Sequence, residues 1–291
     1  MESVVVTGVS TGIGRAAARA MLERGFRVFG SVRKESDAKV LSTELGAHFV
    51  PLHFDITDED AVRKAADAVG AALGERTLAG LVNNAGIAVP GPLLELSAAD
   101  LRRQLEVNVV GPMVVTRAFA PYLGGDPNRV GKRGRIIMVS SVAGRTAAPF
   151  NGPYSASKFA LEGLSESLRR ELMLLGIDVI VIAPGAVVTP IWDKAEAVDM
   201  TRFSASPFAG PLATFRDYML TQGRQGLPAE RLGEAIADAL SLKRPKARYT
   251  IAPNPLEYRL MSSLPKRWVD RMLARKLGLL PQCGGKDDAS S

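Results

Sequence analysis

Residues 4–14 read V-V-V-T-G-V-S-T-G-I-G, a β-branched run that breaks into a glycine-rich turn and then enters an amphipathic stretch. Val4-Val5-Val6 has strand character, and the spacing from Gly12 onward is helical. Gly8, Gly12 and Gly14 are spaced G-x-x-x-G-x-G, a variant of the G-x-G-x-x-G often associated with dinucleotides. The physical logic is the same. No side chain blocks close approach of the backbone, and the helix N-terminus turns its N–H groups toward a pyrophosphate. A glycine turn alone is most simply a tight turn; its place between a first strand and a first helix is what points to a cofactor.

Outward from this turn, short Val/Ile/Leu/Phe-rich runs alternate with longer amphipathic stretches. Strands are predicted at 3–7, 26–32, 48–53, 79–83, 134–140, 177–183 and 247–252. Helices are predicted at 12–24, 37–45, 58–74, 97–123, 153–175 and 229–242. Ser97 and Asp100 form a capping box at the start of the fourth helix, and Gly111-Pro112 predicts a bend inside it. Gly25 and Gly176 act as stop signals. This order implies an α/β fold: a doubly wound parallel sheet of seven strands, apolar because helices cover both faces. Residues 1–254 are expected to form one domain, with 187–226 an irregular lid, 255–283 a basic amphipathic extension and 284–291 a disordered tail.

Of the 291 residues, 46% are hydrophobic and 23% charged, an ordinary globular balance with ample material for a core. Cys283 is the single cysteine, so no internal disulfide forms and a reducing compartment is expected. The strand at Val4 leaves no room for a leader, and no apolar run reaches the roughly 18–20 residues of a membrane span. A cytoplasmic location follows as the expectation. The formal net charge is +7, concentrated late: residues 1–223 hold 24 Lys+Arg against 23 Asp+Glu, residues 224–291 hold 13 against 7. Scattered solvated charge explains that excess, and no nucleic-acid partner is expected.

Tyr154 and Lys158 stand four apart in Y-S-A-S-K, thirteen and seventeen residues after Ser141. On a helix that spacing places both on one face. An ammonium there favours the phenolate and is expected to lower the tyrosine pKa from about 10. Such a tyrosine passes a proton to and from a substrate oxygen.

Taken together, T-G-V-S-T-G-I-G, N-N-A-G at 83–86, N-V-V-G at 108–111, Ser141, Tyr154-x-x-x-Lys158 and P-G-A-V-V-T at 184–189 resemble the short-chain dehydrogenase/reductase family from residue 3 to about 252. The resemblance implies a Rossmann domain, a nicotinamide cofactor and carbonyl/alcohol interconversion. It implies that the cofactor lies against Gly8, Ser10, Thr11, Gly12, Ile13 and Gly14, with Asp55 and Ile56 at the adenine. Asn84, Ala85 and Gly86 would pass near a ribose, and Pro184, Gly185, Val187 and Thr189 would flank the nicotinamide. Asp55 also reads as a cap before Thr57, and Asn84 as a sheet-stabilising amide. Arg33 and Lys34 follow the second strand, where a cation suits a 2′-phosphate; this favours NADP(H) over NAD(H), unless Arg33 is a solvated loop charge. By the same resemblance Tyr154 is the proton donor, Ser141 stabilises the substrate oxygen, Lys158 tunes the tyrosine and holds the ribose, and Asn108 positions a relay water.

No metal site is expected, since His48 and His53 merely flank a strand. The apolar residues between Ile191 and Met219 read as a pocket for a hydrophobic alcohol or ketone, steroid-, retinoid- or lipid-like, or equally as a satellite core. Residues 265–277 gather Trp268, Val269, Met272, Leu273, Lys276 and Leu277 into a stripe. It suits either peripheral contact with an anionic membrane or packing on the protein itself or on another subunit. A homodimer or homotetramer through 97–123 and 153–175 is the resemblance's implication. The alternative function is a catalytically idle cofactor-binding sensor or scaffold.

Overall fold

The computed structural model describes residues 1–197 and 199–281, and places seven parallel strands in one sheet. They are β1 (Ser3–Val6), β2 (Arg27–Val32), β3 (Phe49–His53), β4 (Gly80–Asn83), β5 (Arg135–Val139), β6 (Asp178–Pro184) and β9 (Arg248–Ile251). Two further strands, β7 (Val187–Val188) and β8 (Leu227–Pro228), form a separate parallel pair. The order in the main sheet is β3-β2-β1-β4-β5-β6-β9. The chain thus winds outward from β1 in one direction and from β4 in the other, and the switch between them opens a crevice at the strands' C-terminal ends.

The helices between the strands are α1 (Gly12–Glu23), α2 (Glu35–Leu45), α3 (Glu59–Leu73), α4 (Ala98–Leu105), α5 (Gly111–Phe119), α6 (Gly152–Glu171), α7 (Ile191–Glu196), α8 (Ala209–Arg224) and α9 (Ala229–Ser241). Two more, α10 (Pro255–Ser263) and α11 (Lys266–Leu277), follow β9. Alternation along each strand sorts its side chains onto two cores. Val4, Val6, Ile137, Val139, Ile180 and Ile182 pack with the Ala17–Met21 face of α1 and with Leu232 and Ile236 of α9. Val5, Ile136, Met138 and Val179 pack with Val62 and Val69 of α3, Val115 and Phe119 of α5 and Leu161 of α6. Each fully buried Val, Leu or Ile contributes about 1.5–3 kcal/mol, so two-sided burial is what makes these strands apolar throughout.

Predicted strand ends hold to within a residue, and Gly25 and Gly176 take positive φ as stop residues. The predicted helix 97–123 is divided. Ser97 and Asp100 make the reciprocal capping box of α4, but a π-helical turn at Glu106–Val110 joins it to α5. Pro112 has no N–H to give the Asn108 carbonyl one turn back, and the widened turn accommodates that loss.

The expectation of an irregular 187–226 is overturned: α7 and the four-turn α8 occupy most of it. Pro211 falls in the first turn of α8, where a missing N–H costs nothing. Gly223 near its end leaves space filled by the Trp192 indole, which stands where a Cβ would be. Residues 265–277 form the expected amphipathic helix, and it turns Val269 and Leu277 into the protein beside α8. Lys276 Nζ sits 3.7 Å from the Tyr218 ring centroid. Trp268 and Met272 of the stripe remain exposed. Among the described residues no helix is long and apolar enough to cross a membrane. Cys283 and the expected tail 284–291 lie outside the described residues.

Candidate active site

At the crevice, Thr7 directly follows β1 and its hydroxyl accepts from the Asn84 and Ala85 amides at 3.0 and 3.1 Å. Asn84 Nδ2 donates in return to the Thr7 and Gly8 carbonyls at 2.9 and 3.1 Å. The segment after β4 is thereby stitched to the glycine turn, so Asn84 is a structural amide whatever else it does. The Gly8 amide donates to Ser31 Oγ of β2 at 3.0 Å. Gly8 and Gly12 both have positive φ, which only glycine adopts freely. A Cβ on Gly12 would lie 3.0 Å from Thr189 Cγ2, and one on Gly14 would run into the Gly8 carbonyl oxygen. Thr11 is the N-cap of α1 without a side-chain cap bond, and no acid occupies the first turn. The helix therefore offers free N–H groups and a positive dipole end to an anion. Ser10 and Ile13 are half-buried and Thr11 is exposed beside this cradle, which fits a dinucleotide pyrophosphate.

The rim brings Arg33 and Asp55 together: Nη1 and Oδ2 are 3.6 Å apart. Asp55 Oδ1 also accepts from the Thr57 amide and hydroxyl at 3.0 and 2.8 Å. Burial pushes its carboxyl up, but the Thr57 bonds and Arg33 outweigh that and hold it below the usual range. The turn-forming role of Asp55 is thus real; the helix cap itself is Asp58, which accepts from the Ala61 amide. Ile56 is buried in the core against Gly111, so its side chain does not face the crevice rim. Lys34 is exposed at the N-cap of α2.

Tyr154 and Lys158 do lie one turn apart on α6, and the Ser141 hydroxyl, two residues past the end of β5, acts on the Tyr154 phenol. Ser141 is fixed by the Ala143 amide, which donates to its Oγ at 3.1 Å. Ser140 Oγ is buried on the other side without a partner among the described residues. The buried Lys158 ammonium donates to the Val139 carbonyl at 2.8 Å and lies 5.6 Å from the Tyr154 ring centroid. The expected acidification of Tyr154 by Lys158 is corrected here. Burial pushes the phenol above its ordinary value, and only the Ser141 hydrogen bond opposes it. Lys158 is itself lowered from 10.5 to about 8 by burial, with Glu162 acting against the shift.

Asn108, in the π turn, is fully engaged. Its Oδ1 accepts from the Ile87 amide at 2.9 Å, while Nδ2 donates to the Ile87 carbonyl at 3.0 Å and to Ser157 Oγ at 3.1 Å. Ser157 donates to the Tyr154 carbonyl at 2.7 Å. Gln104 repeats the pattern, accepting from the Val89 amide at 2.7 Å and donating to the Ile87 carbonyl at 2.9 Å. Sequence reasoning missed Thr7, Gln104 and Ser157. The spacing of Gln104 and Asn108, two amides one helical turn apart on a mostly apolar face, was the available signal.

On the far side, Pro184 and Val187 are buried, and Gly185 and Thr189 half-buried, where β6 leads into β7. The apolar residues beyond them largely satisfy one another. Phe203, Leu212 and Phe215 form a buried cluster with Phe150 and Leu277, flanked by Met200, Phe208 and Met219. That is the satellite core. It stands beside the site, because Phe150 lies four residues before Tyr154 and its ring is 5.8 Å from Phe215 and 6.2 Å from Phe208. A cavity of about 480 Å³ remains between Met200–Ser204 and α8. Among the described residues no His/Cys/Asp/Glu group has the makings of a metal site.

Known proteins resemble this chain along most of its length. The family model described as short chain dehydrogenase matches residues 2–199. NADPH-dependent 3-dehydrocapnine reductase of Ornithobacterium rhinotracheale is 38% identical over 283 residues, 97% of this chain and 99% of that protein. Mouse retinol dehydrogenase 5 is 33% identical over 93% of this chain and 87% of its own. The structure of a short chain dehydrogenase/reductase from Burkholderia phymatum in complex with NAD superposes with a TM-score of 0.76. It is 26% identical and covers 93% of this chain and 95% of that one.

Proposed function

Since the chain belongs to the short-chain dehydrogenase/reductase family and so is an NAD(P)-dependent oxidoreductase acting on CH–OH groups, we propose that it reduces a hydrophobic ketone or aldehyde with NADPH, or oxidises the matching alcohol. NADPH supplies the hydride when bound. The observation that carries the reading is the group past the end of β5 and at the start of α6: the buried Tyr154 phenol, the Ser141 hydroxyl that acts on it, and the Lys158 ammonium 5.6 Å from its ring.

The glycine cradle and the start of α1 hold the pyrophosphate, and Arg33 with Lys34 receives a 2′-phosphate. Tyr154, protonated at neutral pH because burial keeps its pKa high, donates to the substrate oxygen as general acid. Ser141 gives that oxygen a second hydrogen bond as negative charge develops. The Lys158 ammonium, 5.6 Å from the Tyr154 ring centroid, is the positive charge beneath the phenolate left behind, an attraction too weak to reverse what burial does to the phenol. The Asn108 carbonyl, to which Pro112 offers no N–H, is the acceptor for a water that connects Lys158 to solvent. The wall formed by Phe150, Phe203, Phe208 and Phe215 supports an apolar substrate, as does a relative named for retinol, an apolar alcohol. Exposed Leu101, Val110 and Phe159 on α4–α6 support a homo-oligomer through those helices. The cytoplasm is the compartment this reading assigns.

Tyr154→Phe tests it. Oxidation of NADPH is followed at the nicotinamide absorbance across a panel of hydrophobic ketones and aldehydes. Turnover should fall at least about 1,000-fold while NADPH binding persists; a variant within tenfold of wild type removes Tyr154 from the chemistry.

A further inference from the structure

Glu162 stands one turn beyond Lys158 on α6, the same interval that separates Lys158 from Tyr154, and nothing in the mechanism above uses it. Its two carboxylate oxygens accept from Arg248 Nε of β9 at 3.2 and 2.8 Å. Both side chains are largely buried, with 16% and 15% of their surface exposed. Arg248 is pinned in turn, since its Nη1 donates to Thr250 Oγ1 at 2.5 Å. On its other side Glu162 Cγ lies 2.9 Å from where a Gly144 Cβ would be, against the turn that follows Ser141. The carboxylate is therefore fixed between β9 and the serine turn. Burying such a pair costs desolvation that an apolar contact would avoid, so a role beyond joining α6 to β9 is called for.

We propose that Glu162, pinned by Arg248, is a positioning residue that keeps Lys158 protonated beneath Tyr154 and thereby sets the upper pH limit of the reaction. The inference rests on Tyr154 and Lys158 being the proton-transfer pair. Burial draws the Lys158 ammonium down to about 8, within reach of physiological pH, and Glu162 is the charged side chain that opposes it. Among the described residues, the other groups that meet Lys158 carry no formal charge: the Val139 carbonyl from β5 and the Tyr154 ring from α6 itself. The 142–144 turn holds no ionisable side chain, and the amides of Gln104 and Asn108, from α4 and the π turn, meet Ser157 next to Lys158 in the chain. Arg248, on β9, stands behind Glu162. Removing the negative charge makes the Tyr154–Lys158 pair release its first proton at lower pH, whichever member gives it up.

The test is the pH dependence of kcat/KM for wild type, Glu162→Gln and Glu162→Asp, with NADPH and the best ketone of the panel. The alkaline limb of Glu162→Gln should move to lower pH by about one unit or more, and Glu162→Asp should return it at least halfway. An unmoved limb in Glu162→Gln, or an equal shift in Glu162→Asp, overturns the inference. Should Glu162→Gln not fold, Arg248→Gln decides. Stripping the positive charge from behind the carboxylate moves the limb to higher pH, and a limb that stays put or moves down is contrary. The two readings fail separately: an active Tyr154→Phe sinks the proton-transfer assignment, whereas an unshifted limb with an inactive Tyr154→Phe sinks only the role of Glu162.

Discussion

Asn108 and Ile87 grip each other as two strand residues would, side-chain amide to main-chain amide, with bonds of 2.9 and 3.0 Å in opposite senses. The grip ties the loop beyond β4 to the π turn, and through Ser157 to the backbone of Tyr154. Asn108→Ala leaves the part-buried Ile87 N–H without a partner, at about 1–3 kcal/mol, while Gln104 still donates to the Ile87 carbonyl and Ser157 still bonds the Tyr154 carbonyl. Thermal unfolding should show a lower Tm by several degrees, and steady-state kinetics a fall in kcat of at least about tenfold. A variant with wild-type Tm and kcat would mean the loop is held by other contacts.

Gly12→Ala should bind NADPH at least about tenfold more weakly. The substitution strains a positive φ and presses on Thr189, the residue expected at the carboxamide. Titration of nicotinamide fluorescence measures it directly.

Arg33 is the exposed cation at the end of β2, and Asp55 already holds it loosely at 3.6 Å. Arg33→Asp should cut kcat/KM for NADPH by at least about tenfold and leave that for NADH level or improved, because a carboxylate repels the 2′-phosphate and suits a free 2′-hydroxyl. An unaltered NADPH/NADH ratio assigns the phosphate to other residues.

Lys158 gives a stability signature. Its folded pKa, about 8, lies below the 10.5 of an exposed lysine, so between those values the unfolded chain binds the extra proton. Stability then rises with pH across that window, by at most about 1.4 kcal/mol per unit. Below about pH 8 both states are protonated and the cost of burying the ammonium is constant. Urea denaturation from pH 7 to 10 should show this rise in wild type relative to Lys158→Met; parallel profiles would refute it.

The sheet was legible because two-sided burial writes itself as unbroken apolar runs, and the glycine turn because its backbone angles admit little else. Tyr154 and Lys158 were legible from their spacing on one helix face, and Ser141 through the family resemblance. What escaped was set by tertiary context. Pro207, Gly210, Pro211 and Gly223 look like breakers in a row, yet Pro211 sits harmlessly in a first turn and Gly223 makes room for Trp192. The sign of the Tyr154 shift also escaped, since burial depends on neighbours the Y-x-x-x-K spacing does not name. Arg248 reaches Glu162 from 86 residues away, beyond any local pattern.

Val187 and Val188 pair with Leu227 and Pro228, so the excursion that holds α7 and α8 leaves and rejoins the body at adjacent points. The entropic cost of a loop grows only slowly with its length. With its two feet clasped, this excursion can change length at little entropic cost, but Thr189 beside Gly12 and the packing of Phe208 and Phe215 on Phe150 tie it to the residues around Tyr154. A graft of the span between those feet must therefore bring its own counterparts of Thr189 and of the rings that pack on Phe150.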